Sequence, residues 1–189
     1  MQQVKILIIA LAVAAVAAGC GKKTQTVFPL PEGYPRPDLP DTALVECDKA
    51  PLSFWVNEQC EVSSERPGWL DIRYPTLRAT VHLTFTHSST DEIETVKANR
   101  MQRLMMNAGD ASMDFVEFAS AGGFDVVGVS SEGTATPFQF LATDNDKWVV
   151  SGSVYFADAG SGYSVDSLRP SVKAIRNDLL RALNRLDVK

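Results

Sequence analysis

The hydrophobic pattern changes its period several times along this chain of 189 residues, and each change predicts an element. Ile6 to Ala18 is an unbroken apolar run of about 13 residues, shorter than the roughly 20 a bilayer-spanning helix needs and of the length of a signal-peptide core. Phe28 to Pro40 carries Pro29, Pro31, Pro35, Pro37 and Pro40. Prolines fix their own φ and push the preceding residue toward extended conformations, so an extended strap is expected here, with Tyr34 and Arg36 within it. Leu52 to Val56 is a short apolar run. From Trp69 the period becomes two: Leu70, Ile72 and Tyr74 alternate with Trp69, Asp71 and Arg73. After Pro75, Ala79, Val81, Leu83 and Phe85 alternate with Thr80, His82, Thr84 and Thr86. Alternation of this kind marks half-buried strands.

The period then lengthens. Ile93, Val96, Met101, Leu104 and Met105 recur at helical spacing, with Ser89 or Thr90 as candidate N-cap and Gly109 as the stop. The methionines read as part of a core stripe. Four strand-like segments follow: Phe115 to Ala119, Phe124 to Val129, Thr136 to Thr143, and Lys147 to Phe156. Gly122-Gly123, Glu132-Gly133 and Asp144-Asn145-Asp146 separate them. The last spacer is short and turn-forming, which predicts a hairpin and, over all four, an antiparallel meander. At the end Leu168, Val172, Ile175, Leu179, Leu183 and Leu186 form a helical stripe, with Pro170 expected in its first turn. The fold class is therefore α+β: an antiparallel β-sheet with helices packed on its faces, the C-terminal amphipathic helix among them.

Composition adds a compartment. Ala17-Ala18-Gly19-Cys20 resembles the lipobox of bacterial lipoproteins, with Ala17 where that motif usually has Leu. We expect residues 1–19 to be a lipoprotein signal peptide and Cys20 to carry the lipid, palmitate included. Residues 20–41 are read as tether and strap, and 42–189 as one domain. The acyl chains would hold the protein on a lipid bilayer, since each buried CH₂ contributes about 0.8 kcal/mol. Of three cysteines, Cys47 and Cys60 remain. In an oxidising compartment they are disulfide candidates, and two free thiols are the alternative. The net charge of −5 argues against a nucleic-acid partner, because phosphate backbones repel an acidic body.

Motifs that carry chemistry are sparse. His82 and His87 are five apart, so one strand would point them to opposite faces. The chain has no HExxH, CxxC, GxSxG or P-loop, and we expect no metal and no cofactor. His82 beside Asp71 would make an acid–base pair only if the strand register aligns them. Asp144 and Asp146 are better explained by a turn than by calcium. Gly122, Gly123 and Gly152 read as turn and close-packing positions.

Several blocks then align with one family. Gly33 to Pro40, Cys47 with Ser53-Phe54, Trp69 to Pro75 and Ala79 to Phe85 resemble successive segments of the gliding-motility lipoprotein family GldD of the Bacteroidetes. Thr136 to Asp144 with Trp148 and Gly152 to Phe156 are similar to its hairpin. Arg169-Pro170, Ile175 and Asp178-Leu179 match the start of its last helix. The family tends to have a cysteine just before the tryptophan, where this chain has Gly68. Cys60 then stands as a relocated partner for Cys47. The resemblance implies a non-catalytic, periplasm-facing lipoprotein, expected at the outer membrane. It would support the gliding machinery and its linked type IX secretion system through contacts with other envelope proteins. Tyr34, Arg36, Trp69, His82, Gln139 and Asp144 are the candidate partner contacts. A periplasmic small-molecule or peptidoglycan-binding module is the alternative. The hairpin and final helix also resemble PsbP-like sandwich domains, at the level of fold alone.

Overall fold

The computed structural model describes residues 44–157 and 165–189, and the side chains of 165–167 are left aside. The signal peptide, Cys20, the tether and the strap with Tyr34 and Arg36 lie outside the described residues.

Seven strands form one antiparallel sheet: β3 (Glu61–Ser63), β4 (Trp69–Tyr74), β5 (Ala79–His87), β6 (Met113–Ala119), β7 (Asp125–Ser131), β8 (Phe138–Thr143) and β9 (Trp148–Phe156). Their order is β3-β4-β5-β9-β8-β7-β6. The expected meander is present in β6 to β9. Its last strand pairs with β5 over nine residues, from Ala79↔Phe156 to His87↔Trp148, and so welds two hairpin systems into one sheet. The helix α1 (Ile93–Ala108) carries the chain from central β5 to edge strand β6. A separate hairpin, β1 (Leu44–Glu46) and β2 (Trp55–Asn57), packs beside the second helix, α2 (Val165–Asn184).

Alternation decides which face each strand buries. On one face Leu70, Ile72, Tyr74, Val81, Leu83, Phe85, Phe138, Phe140, Val150 and Val154 are all buried, with Ile175, Leu179 and Leu183 of α2 in the same core. The stripe read from the sequence is the buried side of this helix. Gly152 is part of that packing: a Cβ there would lie 2.4 Å from Cε1 of Phe140, so the ring lies over the bare backbone of the neighbouring strand. Gly68 has φ +76, and a Cβ on it would lie 2.7 Å from the Phe85 carbonyl oxygen. A cysteine at this position is therefore disfavoured by both conformation and space.

On the opposite face α1 covers Val129, Leu141 and Val149, which meet Ile93 and Leu104, together with Gln139 beside them. Gly109 closes α1 as expected, its N–H reaching the Met105 carbonyl at 3.1 Å. Three local expectations fail. Neither Ser89 nor Thr90 caps α1; their hydroxyls turn instead to Glu92 and Asp146. The methionine stripe does not hold: Met101 packs on the core, but Met105 and Met106 are 40% and 72% exposed. Pro170 sits inside α2, which starts five residues earlier, at Val165. Here the proline lies past the first four residues, whose N–H groups lack intrahelical partners, so it removes one i→i−4 hydrogen bond from the second turn of the helix.

Cys47 and Cys60 are free thiols, so the expected disulfide is not formed. Each sulfur is occupied otherwise. Cys47 is buried in the core, and the Cys60 thiol lies against Tyr74 and near Asp178. Burial first, then the neighbouring Asp178 charge, pushes this thiol up to about 12.

Candidate functional site

The part of the second face that α1 leaves open carries polar residues in register across three strands. Asp71 of β4 faces His82 of β5, and His82 faces Ser153 of β9. The pair left open by the sequence is thus aligned: His82 Nδ1 lies 2.7 Å from Asp71 Oδ1. A carboxylate only accepts, so Nδ1 carries the proton and Nε2 is left toward solvent. Tyr155 packs its ring edge against His82, with centroids 5.3 Å apart. Ser153 does not complete a nucleophilic triad, because its hydroxyl donates to Gln139 Oε1 at 3.3 Å. Trp69 lies on this face at 53% exposure, with the Arg66 guanidinium 5.6 Å above its ring. An aromatic so displayed is the kind of side chain that anchors protein interfaces.

Between this open half and α1 runs a polar cleft of about 470 Å³, with His82, Arg100, Arg103, Asn107, Gln139 and Tyr155 among its walls. Arg100, Arg103 and Asn107 form one stripe of α1, at i, i+3 and i+7. Arg100 donates to the Thr86 hydroxyl at 3.2 Å. Asn107 Nδ2 donates to Gln139 Oε1 at 2.9 Å. These three residues were missed from the sequence, although their helical spacing beside the apolar stripe was a usable signal.

Two expected surface contacts turn out otherwise. Gln139 is 1% exposed: β8 is buried at all six positions, and this amide ties β8 to the Leu104 carbonyl, Asn107 and Ser153. Asp144 serves the β8–β9 turn, where Oδ1 accepts N–H bonds from Asp146, Lys147 and Trp148 at 3.0, 2.9 and 2.8 Å. Partial burial works against its charge, but these donors outweigh it and hold the carboxyl below its usual range.

A second buried group was also missed. Asp178, on the apolar side of α2, is 2% exposed. It accepts from Tyr74 at 2.7 Å, from Asn57 at 3.2 Å and from Arg181 at 2.9 Å. All three donors come from other parts of the fold or the next helical turn, so the group is satisfied and structural. A mostly apolar hollow of about 620 Å³ lies between α2 and the β7–β8 turn. Two of its three cations are paired, Arg169 with Glu132 at 3.1 Å and Arg176 with Asp114 at 3.7 Å, and Lys173 is the third. Among the described residues, no group of three or more His, Cys, Asp or Glu is placed to hold a metal ion, and no helix is long and apolar enough to cross a membrane.

The chain matches no curated protein. The family model for the gliding motility lipoprotein GldD matches residues 24–187, which take in the nine strands and two helices of the described residues. The protein therefore belongs to the GldD family of gliding motility lipoproteins.

Proposed function

We propose that this protein is a non-catalytic envelope lipoprotein that supports the gliding machinery and its linked type IX secretion system by binding another envelope protein. Acyl chains on Cys20, palmitate among them, would hold it on the periplasm-facing side of the outer membrane, with residues 21–41 as tether and strap. One observation carries this reading: among the described residues no helix lies over half of one sheet face, which displays Trp69 at 53% exposure beneath the Arg66 guanidinium, with Asp71, Arg73 and His82 on the same face. A buried-type aromatic inside a polar rim is the pattern of a protein–protein hot spot. His82 and Asp71 bond to each other and Ser153 bonds to Gln139, an arrangement that supports recognition rather than attack on a substrate.

The test uses a gliding, secreting host. Cys20→Ala is expected to release the protein from the membrane fraction and to impair gliding. Trp69→Ala is expected to leave it anchored and folded but to abolish its crosslinking to a partner in the native envelope. Normal gliding and secretion with Trp69→Ala would reject the open face as the docking surface. Normal function with Cys20→Ala would reject the anchored role.

A further inference from the structure

The chain is acidic overall, yet the cleft between α1 and the open half of the sheet has no carboxylate among its lining residues. Arg100 and Arg103 stand there one helical turn apart. Neither makes an ion pair with a carboxylate among the described residues, in contrast to Arg73, Arg169, Arg176 and Arg181. Arg100 has only the neutral Thr86 hydroxyl. Burial, and then the charge of Arg103, lowers its affinity for its own proton. Two like charges set side by side without a counter-charge repel, and an anion between them removes that repulsion.

The rest of the wall is equipped for recognition. Gln139 and Asn107 are locked to each other at 2.9 Å. His82 is oriented by Asp71, which leaves Nε2 as a polar contact, and Ser151 and Ser153 supply hydroxyls. The volume of about 470 Å³ falls within the range of small-molecule pockets, about 300–1,000 Å³.

We propose that this cleft binds the oxyanion group, phosphate or carboxylate, of a small polar molecule, with Arg100 and Arg103 gripping the anion and His82, Asn107 and Ser153 contacting the remainder. Guanidinium groups suit such oxyanions because their N–H donors match paired oxygens. The proposal is independent of partner docking at Trp69, since it requires no second protein.

The full mature chain, held in phosphatidylcholine nanodiscs, is titrated calorimetrically with glycerol phosphate, glucuronate and neutral glucose. Saturable binding of at least one of the two anions is expected, and none of glucose. Arg100→Gln and Arg103→Gln should each weaken it about tenfold, the size of a lost charge-assisted contact. Arg66→Gln, beside Trp69 and outside the cleft, should leave it unchanged. Arg103 is exposed on α1, so its variant should melt like the parent and keeps the test valid if Arg100→Gln folds poorly. The proposal is overturned if neither anion saturates, if glucose binds equally, or if the Arg103 variant binds like the parent. It is also overturned if phosphatidylglycerol nanodiscs or a polyglutamate peptide engage the same arginines more tightly than either small anion.

Discussion

The two faces of the seven-stranded sheet are built from the same strands but follow different rules. Toward α2 the inward positions of β4, β5 and β9 are apolar or glycine except His87 at the exposed end of β5, and the helix meets them with Ile175, Leu179 and Leu183. Toward α1 the apolar residues stop at Val129, Leu141 and Val149. Beyond them the strands turn to Trp69, Asp71, His82, Thr84 and Ser153. The open half is thus written into the strands as polar positions and is not a core lacking its cover. One face holds the fold together; on the other, among the described residues, polar strand positions lie outside the cover of α1.

The sharpest challenge to that contrast is a truncation on the sealed face. Leu183→Ala, at a fully buried position, should cost about 3 kcal/mol or more, read as a lower urea midpoint with unchanged slope. Next comes Gly152→Ala, whose new methyl would press on the Phe140 ring. Overpacking of this kind costs about 1–3 kcal/mol, whereas Ser153→Ala, one residue on and facing the open side, should cost clearly less.

Smaller still is an alkaline effect confined to the sealed side. Burial, and then the charge of Asp178, push the folded Cys60 thiol up to about 12 from its ordinary value of 9.0. A raised folded value means stability that is complete below about pH 9 and drains away as pH climbs toward 12. Melting curves across that window should fall, and Cys60→Ser should flatten part of the decline. Tyr74, also shifted upward by burial, then by Asp178 and Cys60, accounts for what remains. The same cysteines give a direct count: unreduced, unfolded protein should return both Cys47 and Cys60 to a thiol reagent. The least effect is expected from Trp69→Ala, within about 0.5 kcal/mol of the parent because the ring is largely outside the core. A loss comparable to Leu183→Ala would show that the open face is structural after all.

Much of this arrangement was legible in the residues. Period-two runs named β4 and β5, the turn at Asp144-Asn145-Asp146 named the β8–β9 hairpin, and the leucine stripe named α2. What escaped was whatever depended on a distant neighbour. Gln139 occupies a polar, alternating position that would ordinarily face water, but α1 lies over it. Asp178 interrupts an apolar stripe in a way that suggests exposure, until Tyr74 and Asn57 are brought to it from over 100 residues away. The short strands β1 and β3 span three residues each, too few to show a period.

Local chemistry therefore determined the longer elements, the buried sides of β4, β5 and α2, the absence of known catalytic motifs from the sequence and the likeness to the GldD family, since each depends on spacing within a few turns or strands. Tertiary structure alone decided that β9 joins β5 and so sets Asp71, His82 and Ser153 in one row. It also placed Arg100 and Arg103 of α1 beside that row and left Cys47 and Cys60 unpaired. Strand order and register are settled by contacts between segments far apart in the chain. Those contacts exist only once the sheet has closed and the helices have chosen which parts of its faces to cover.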